Sequence, residues 1–134
     1  MGSGNLAKLN GYKILIVDDE EDLREILFDD FTLLGATVYT ASNGREAYDI
    51  ALKEGPDVIL SDVRMPGGDG VELLKRIRGV YETTPPHVFL LTGFSDLKPD
   101  EAETLGSQGL VPKPFSLSLL REKVTSVLLG TETP

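Results

Sequence analysis

The chain has 134 residues, 40% of them apolar, which suits one globular domain with a hydrophobic core. Thirteen basic residues against twenty-two acidic ones leave a net charge of −9, which would repel nucleic-acid phosphates and an anionic membrane surface. Because of this charge we expect no direct nucleic-acid or membrane partner. The absence of cysteine excludes disulfides, thiolate metal sites and thiol nucleophiles, and it fits a cytoplasmic protein.

The first part of the chain alternates short apolar runs with helical periodicity. An apolar run at residues 12–17 predicts a buried strand, and five consecutive acids at residues 18–22 follow it. Apolar residues then recur at three- and four-residue steps, which predicts an amphipathic helix that ends near Gly35. A β-rich stretch at residues 37–41 predicts a second strand, and Asn43 begins a second helix.

A third strand is predicted at residues 58–62, and it delivers the carboxylate of Asp62 to its carboxyl end. The loop after it contains proline and three glycines, which keeps this acid accessible instead of buried. The helix that follows should turn Val71, Leu74 and Ile77 toward the core.

The remaining chain predicts two further strands and two further helices. In order these are a strand at residues 87–91, a short acidic helix at residues 99–105, a strand at residues 109–112 and a helix capped by Ser116. Thr92 directly follows the first of these strands, and Lys113 follows the second. The acidic helix has the thinnest apolar face, so we expect it to be the most mobile.

Five strands alternating with five helices predict an α/β fold with a parallel sheet covered on both faces. Ligands in such sheets bind beyond the carboxyl ends of the strands, where Asp18, Asp19, Asp62, Thr92 and Lys113 should converge. Three carboxylates so close would repel one another, and a hard divalent cation, Mg²⁺ or Mn²⁺, would relieve that repulsion. A lysine charge and a threonine hydroxyl suit phosphoryl oxygens, and an aspartate can accept a phosphoryl group.

The chain resembles a receiver domain of the bacterial two-component response regulators over roughly residues 12–129. The motifs that carry the resemblance occur in order: Val17-Asp18-Asp19-Glu20, Asp62-Val63-Arg64-Met65-Pro66, Asp69-Gly70, Thr92-Gly93 and Lys113-Pro114-Phe115. The resemblance implies a flavodoxin-like, doubly wound sheet with strand order 2-1-3-4-5. Residues 1–11 would then be a disordered or tag-derived amino end, and residues 130–134 a polar tail.

The resemblance also implies a function. Asp62 would take a phosphoryl group from phosphohistidine of a sensor histidine kinase or a histidine phosphotransfer protein. Mg²⁺ would be held by Asp19, Asp62 and the backbone carbonyl of Arg64, with Asp18 acting through water. Such a domain phosphorylates and dephosphorylates itself and is not a turnover enzyme. Receivers generally place a cis bond between the lysine and the proline after it, which is Lys113–Pro114 here.

Phosphorylation of a receiver switches a protein-interaction surface, here formed by the acidic helix, the fifth strand and the last helix. The same surface could also bind a second copy of the domain, which would give a phosphorylation-dependent homodimer. Receivers commonly carry Tyr or Phe three residues before the lysine, and this chain has Leu110 there. Thr92 and Leu110 would form the switch, while Arg64 and Phe94 occupy positions that tune access of water to the phosphoryl group. Leucine offers less apolar area than Tyr or Phe, so we expect an incomplete population shift.

Two other classes of protein are alternatives for this sequence. A phosphatase of the haloacid dehalogenase type would need Asp-x-Asp-x-Thr or Val after the first strand, but Glu20 and Asp22 stand at the corresponding places. The other alternative is a degenerate receiver that acts only as a phosphorylation-independent binding module, and Leu110 is the single residue that favours it. The five positions expected to carry the chemistry argue against it, because all of them are filled: Asp18, Asp19, Asp62, Thr92 and Lys113.

Overall fold

A computed structural model describes residues 8–63, 70–80, 85–93 and 109–130, which contain five strands and four helices. In chain order these are β1 (Lys13–Val17), α1 (Glu21–Leu33), β2 (Thr37–Ala41), α2 (Gly44–Glu54), β3 (Val58–Asp62), α3 (Gly70–Val80), β4 (His87–Gly93), β5 (Gly109–Lys113) and α4 (Leu117–Leu129). Among these helices none is long and apolar enough to cross a membrane.

The five strands form one parallel sheet in the order β2-β1-β3-β4-β5. This confirms the predicted doubly wound sheet and its strand order. The two predicted side-chain caps are also present, since Asn43 accepts from the Glu46 amide at 2.9 Å and Ser116 accepts from the Leu119 amide at 3.2 Å. The predicted helix at residues 99–105 lies outside the described residues.

Each face of the sheet carries its own hydrophobic core. Successive side chains of a strand point to opposite faces, so Leu15 packs toward α2 and α3 whereas Ile14 and Ile16 pack toward α1 and α4. In α3 the structure buries Leu74 and Ile77 as predicted, but it also buries Leu73, while Val71 is only partly buried. The α3 side of the core is therefore broader than the periodicity of the sequence indicates.

The folded part of the chain begins earlier than residue 12. Leu9 is fully buried in the core beside α1 and α4, and its amide donates to the Leu34 carbonyl at 2.8 Å. The Tyr12 hydroxyl donates to the Leu128 carbonyl at 3.3 Å, which links this segment to α4. Leu9 thus belongs to the domain and not to a disordered amino end, because its side chain fills space between the two helices.

The start of α3 lies directly against the end of β3. The Gly70 amide donates to the Val63 carbonyl at 2.8 Å, and a side chain at Gly70 would collide with the Asp62 carbonyl oxygen. The same added carbon would lie 3.0 Å from the Ser61 hydroxyl oxygen. Only glycine permits this approach of the helix to the strand that carries Asp62.

We predict that Gly70→Ala destabilises the protein by about 1–3 kcal/mol, since backbone atoms must shift to admit the methyl group. Gly79→Ala in the same helix is the matched control, because an added carbon there meets nothing within 4 Å. The control should stabilise the protein by roughly 0.5–1 kcal/mol through helix propensity. Urea unfolding followed by circular dichroism measures both, and equal stability of the two variants would contradict the close approach.

Candidate functional site

The carboxyl edge of the sheet brings together the side chains that the sequence singled out. Asp18 follows β1, Asp62 ends β3 and Lys113 ends β5. Asp62 lies opposite Leu91 in the β3–β4 register, so Thr92 extends one residue further along the neighbouring strand. Thr92 is itself nearly fully buried. These four positions therefore share one edge because all five strands run in the same direction.

Asp18 is fully buried, and each of its polar groups has a partner. Its amide donates to the Ala41 carbonyl at 3.1 Å, and its Oδ1 accepts from the Glu20 amide at 2.9 Å. Its Oδ2 lies 3.1 Å from the ammonium of Lys113, and its carbonyl accepts from Nη1 of Arg24 at 2.6 Å. Burial of this charge is thus compensated by contacts from three different parts of the chain.

Lys113 lies within ion-pair distance of three carboxylates. Its Nζ is 3.1 Å from Asp18, 3.4 Å from Asp62 and 3.6 Å from Glu20. Burial alone would lower the pKa of Lys113, but the hydrogen bond and the charge of Asp18, together with Asp62, outweigh it and raise that pKa. The lysine therefore carries its charge at neutral pH. The Lys113–Pro114 peptide bond is cis, as the resemblance implies.

Asp62 is the partly accessible acid of the site, with 13% of its side chain exposed. Burial raises its pKa, the charge of Lys113 opposes that shift, and the charge of Asp18 adds to it. Its carbonyl accepts from the Ser61 hydroxyl at 2.9 Å, and the next amide, that of Val63, donates to Leu91 at 3.0 Å. Hydrogen bonds therefore hold the backbone around this acid, while its side chain keeps some exposure to solvent.

Three carboxylates at this edge can hold a metal ion. Oxygen atoms of Asp18, Asp19 and Asp62 lie within 4.8 Å of one another, with Asp19 exposed, Asp62 partly exposed and Asp18 buried. An all-oxygen, anionic donor set with open positions fits Mg²⁺, which keeps several waters in protein sites. The predicted carbonyl ligand of Arg64 lies outside the described residues, as does the tuning position Phe94.

Leu110, the predicted switch partner of Thr92, lies in β5 opposite Leu90. It is partly buried and packs against the core on the α2 and α3 side of the sheet. Its position next to β4 is therefore compatible with a role beside Thr92.

A groove of about 970 Å³ opens beside the site, between the start of α1 and the residues that follow Lys113. Acidic and apolar side chains line it together; among these residues are Glu20, Glu21, Asp22, Leu23, Ile26, Phe115 and Leu117. Ile26, one of these lining residues, is 48% exposed and so presents apolar surface to the groove.

Two residues of the site were missed at the level of the sequence. Glu20 pairs with Lys113 although 66% of its side chain is exposed, and Arg24 donates to the Asp18 carbonyl. Glu20 was visible within the run of acids, but helix capping explained it equally well. Arg24 carried a weaker signal, namely a basic residue close to the amino end of a helix, where the dipole disfavours it.

Comparison with known proteins agrees with this geometry. A sequence model described as the response regulator receiver domain matches residues 14–125. Sporulation initiation phosphotransferase F of Bacillus subtilis (strain 168) is 38% identical over 117 residues, which cover 87% of this chain and 93% of that protein.

Solved structures give the same result. The chemotaxis response regulator CheY4 of Vibrio cholerae has a TM-score of 0.77 at 33% identity, and the match covers 87% of this chain and 98% of that one. A second match, with a TM-score of 0.79 at 25% identity, is to a co-crystal structure from Saccharomyces cerevisiae. That structure contains the histidine phosphotransfer signaling protein Ypd1 and the receiver domain of its downstream response regulator Ssk1. The match covers 88% of this chain and 89% of the matched chain. With its sheet order, its acidic cluster and these matches, the chain belongs to the family of response regulator receiver domains.

Proposed function

We propose that this receiver domain accepts a phosphoryl group on Asp62 from phosphohistidine of a sensor histidine kinase or a histidine phosphotransfer protein. The observation that carries the proposal is the convergence of Asp18, Asp19 and Asp62 within 4.8 Å, with Lys113 3.4 Å from Asp62. A partly exposed carboxylate beside a fixed positive charge and a cluster of metal-binding oxygens is what aspartyl phosphorylation requires.

In the proposed transfer a carboxylate oxygen of Asp62 attacks phosphorus. The phosphorus–nitrogen bond breaks, and the imidazole nitrogen of the donor keeps the electron pair. Lys113, whose raised pKa keeps it protonated, interacts with the phosphoryl oxygens as charge shifts toward them. The Thr92 hydroxyl, at the end of the neighbouring strand, donates to another of these oxygens once the aspartyl phosphate has formed.

Asp19 and Asp62 would hold Mg²⁺ together with the Arg64 carbonyl, while Asp18 would act through water. When bound, the cation would neutralise part of the negative charge on the phosphoryl oxygens. The Asp18 carboxylate is already committed to Lys113 and to the Glu20 amide, which supports an indirect role for it. The exposed Asp19 offers the freer carboxylate of the two.

The groove beside the site suits the protein that brings the phosphohistidine. It borders Lys113, so a partner seated there would present its histidine next to Asp62. Apolar side chains such as Ile26 and Leu23 would pack against the partner, and the acidic residues of the groove would favour basic residues on it. A second surface, formed by the predicted acidic helix, β5 and α4, would bind the downstream partner or a second copy of the domain after phosphorylation.

The first test is phosphorylation itself. Incubation with acetyl phosphate and Mg²⁺ should add one phosphoryl group, seen by intact mass spectrometry, and Asp62→Asn should abolish the adduct because the amide is not a nucleophile at phosphorus. Asp49→Asn, an exposed aspartate on α2, is the matched control and should be phosphorylated like the wild type. Absence of an adduct on the wild type would favour the degenerate receiver that acts only as a binding module.

The second test concerns the cation. Asp19→Ala should weaken Mg²⁺ binding by more than about tenfold, since even the loss of a supporting contact costs about 10–100-fold. Phosphorylation should fall in parallel, whereas the metal-free variant should be at least as stable as the wild type because one of three repelling carboxylates is gone.

Isothermal titration calorimetry measures the affinity for Mg²⁺. Asp22→Ala is the control, since Asp22 is an exposed acid in the first turn of α1 and lies outside the cluster of three carboxylates. Unchanged Mg²⁺ affinity in Asp19→Ala would remove Asp19 from the metal site.

The third test concerns the switch. Beryllofluoride, a phosphoryl mimic, should alter amide hydrogen exchange across residues 93–111 more strongly in Leu110→Tyr than in the wild type. A tyrosine redistributes more apolar area between the two states and so gives the active state more stabilisation. A wild-type response as large as that of the variant would show that Leu110 is a core substitution without effect on switching.

A further inference from the structure

Arg24 contacts the backbone beside the acidic cluster, and the proposed phosphoryl transfer assigns this contact no role. Its guanidinium reaches back past the start of α1 to a residue six positions earlier, where Nη1 donates to the Asp18 carbonyl at 2.6 Å. Side chains of a helix point toward its amino end, so an arginine one turn into α1 can reach the residues that precede the helix. A guanidinium donor makes this bond stronger than an ordinary one between neutral groups.

The location of Arg24 is unfavourable for helix stability alone. The amino end of a helix carries partial positive charge, and the acids Glu21 and Asp22 in the first turn of α1 complement it. Arg24 already has its own amide bonded to the Glu20 carbonyl at 3.1 Å, so its side chain is not needed to close the turn. The contact with the Asp18 carbonyl therefore offsets a mildly unfavourable placement of positive charge.

The bonded carbonyl controls the orientation of the next residue. A peptide unit is planar, so the carbonyl of Asp18 and the amide of Asp19 turn together. Asp18 is held by Ala41, Glu20 and Lys113 as well, but Asp19 is exposed. Within the described part of the chain, the Asp19 side chain makes no hydrogen bond or ion pair of its own.

We propose that Arg24 is a positioning residue of the phosphorylation site: by fixing the Asp18–Asp19 peptide, it holds the Asp19 carboxylate toward the cation. The inference rests on the proposed function, because it assigns Arg24 a role in the metal site of that reaction. Arg24 acts through the backbone and touches neither the cation nor the phosphoryl group.

A purely structural role would give a different result. An arginine that only tied β1 to α1 would change the free energy of unfolding and leave the metal affinity of the folded protein unaltered. A positioning role predicts that metal affinity changes even where the fold is intact.

The experiment measures Mn²⁺ binding to the folded protein by electron paramagnetic resonance of the free ion, with no phosphoryl donor present. Arg24→Met keeps the length and loses the charge and the bond, so its dissociation constant for Mn²⁺ should rise by about tenfold. Arg24→Lys keeps the charge but lacks the planar fork, so it should show a smaller rise. Arg45→Met, which removes an exposed arginine from the first turn of α2, is the matched control and should bind like the wild type.

A second readout reports on the peptide itself. The backbone amide of Asp19 should show the largest ¹⁵N and ¹H chemical-shift change of the loop in Arg24→Met, and little change in Arg45→Met. Should Arg24→Met fail to fold, Arg24→Lys decides by the same two measurements. Wild-type Mn²⁺ affinity in a folded Arg24 variant overturns the inference, whether or not the Asp19 amide shifts.

The two proposals fail in different ways. A wild-type protein that neither binds Mn²⁺ nor takes a phosphoryl group from acetyl phosphate overturns the proposed function and the role of Arg24 with it. A wild-type protein that does both, beside an Arg24→Met variant of unchanged Mn²⁺ affinity, overturns only the role of Arg24.

Discussion

Lys113 holds together a group of acids that would otherwise repel one another. Its ammonium contacts Asp18, Asp62 and Glu20, and these residues come from the ends of two strands and the start of a helix. A single lysine does not balance the charge of the cluster, which includes Asp19 as well. The side chains of the site therefore carry an excess of negative charge that favours a divalent cation, on a chain whose net charge is already −9.

The sheet was predictable from the sequence because each strand is a short apolar run and each run ends in turn residues. Once the strands are parallel, their carboxyl ends must share an edge, and Asp18, Asp62 and Lys113 follow from that geometry alone. The alternation of Ile14, Leu15 and Ile16 between two cores follows from the pleat in the same way.

Contacts that depend on one side chain reaching another element were not predictable. The packing of Leu9 depends on a gap between α1 and α4, which no local pattern records. The partners of Glu20 and Arg24 depend on how the first turn of α1 is oriented against β5 and the end of β1. Leu73 was missed because α3 packs more than one stripe of residues inward, so its buried face is wider than a strict helical period suggests.

The contact between Gly70 and the Asp62 carbonyl has a mechanical consequence. Strand β3 and helix α3 touch backbone to backbone and share the hydrogen bond from Gly70 to Val63, so a displacement of either one is resisted by the other. On the same side of the sheet, Arg76 of α3 stacks over the Tyr48 ring of α2 at 4.9 Å, which ties a second helix to this pair. A shift of the Asp62 backbone would therefore have to displace α3 with it, whereas the Asp62 carboxylate reaches β5 through the ammonium of Lys113.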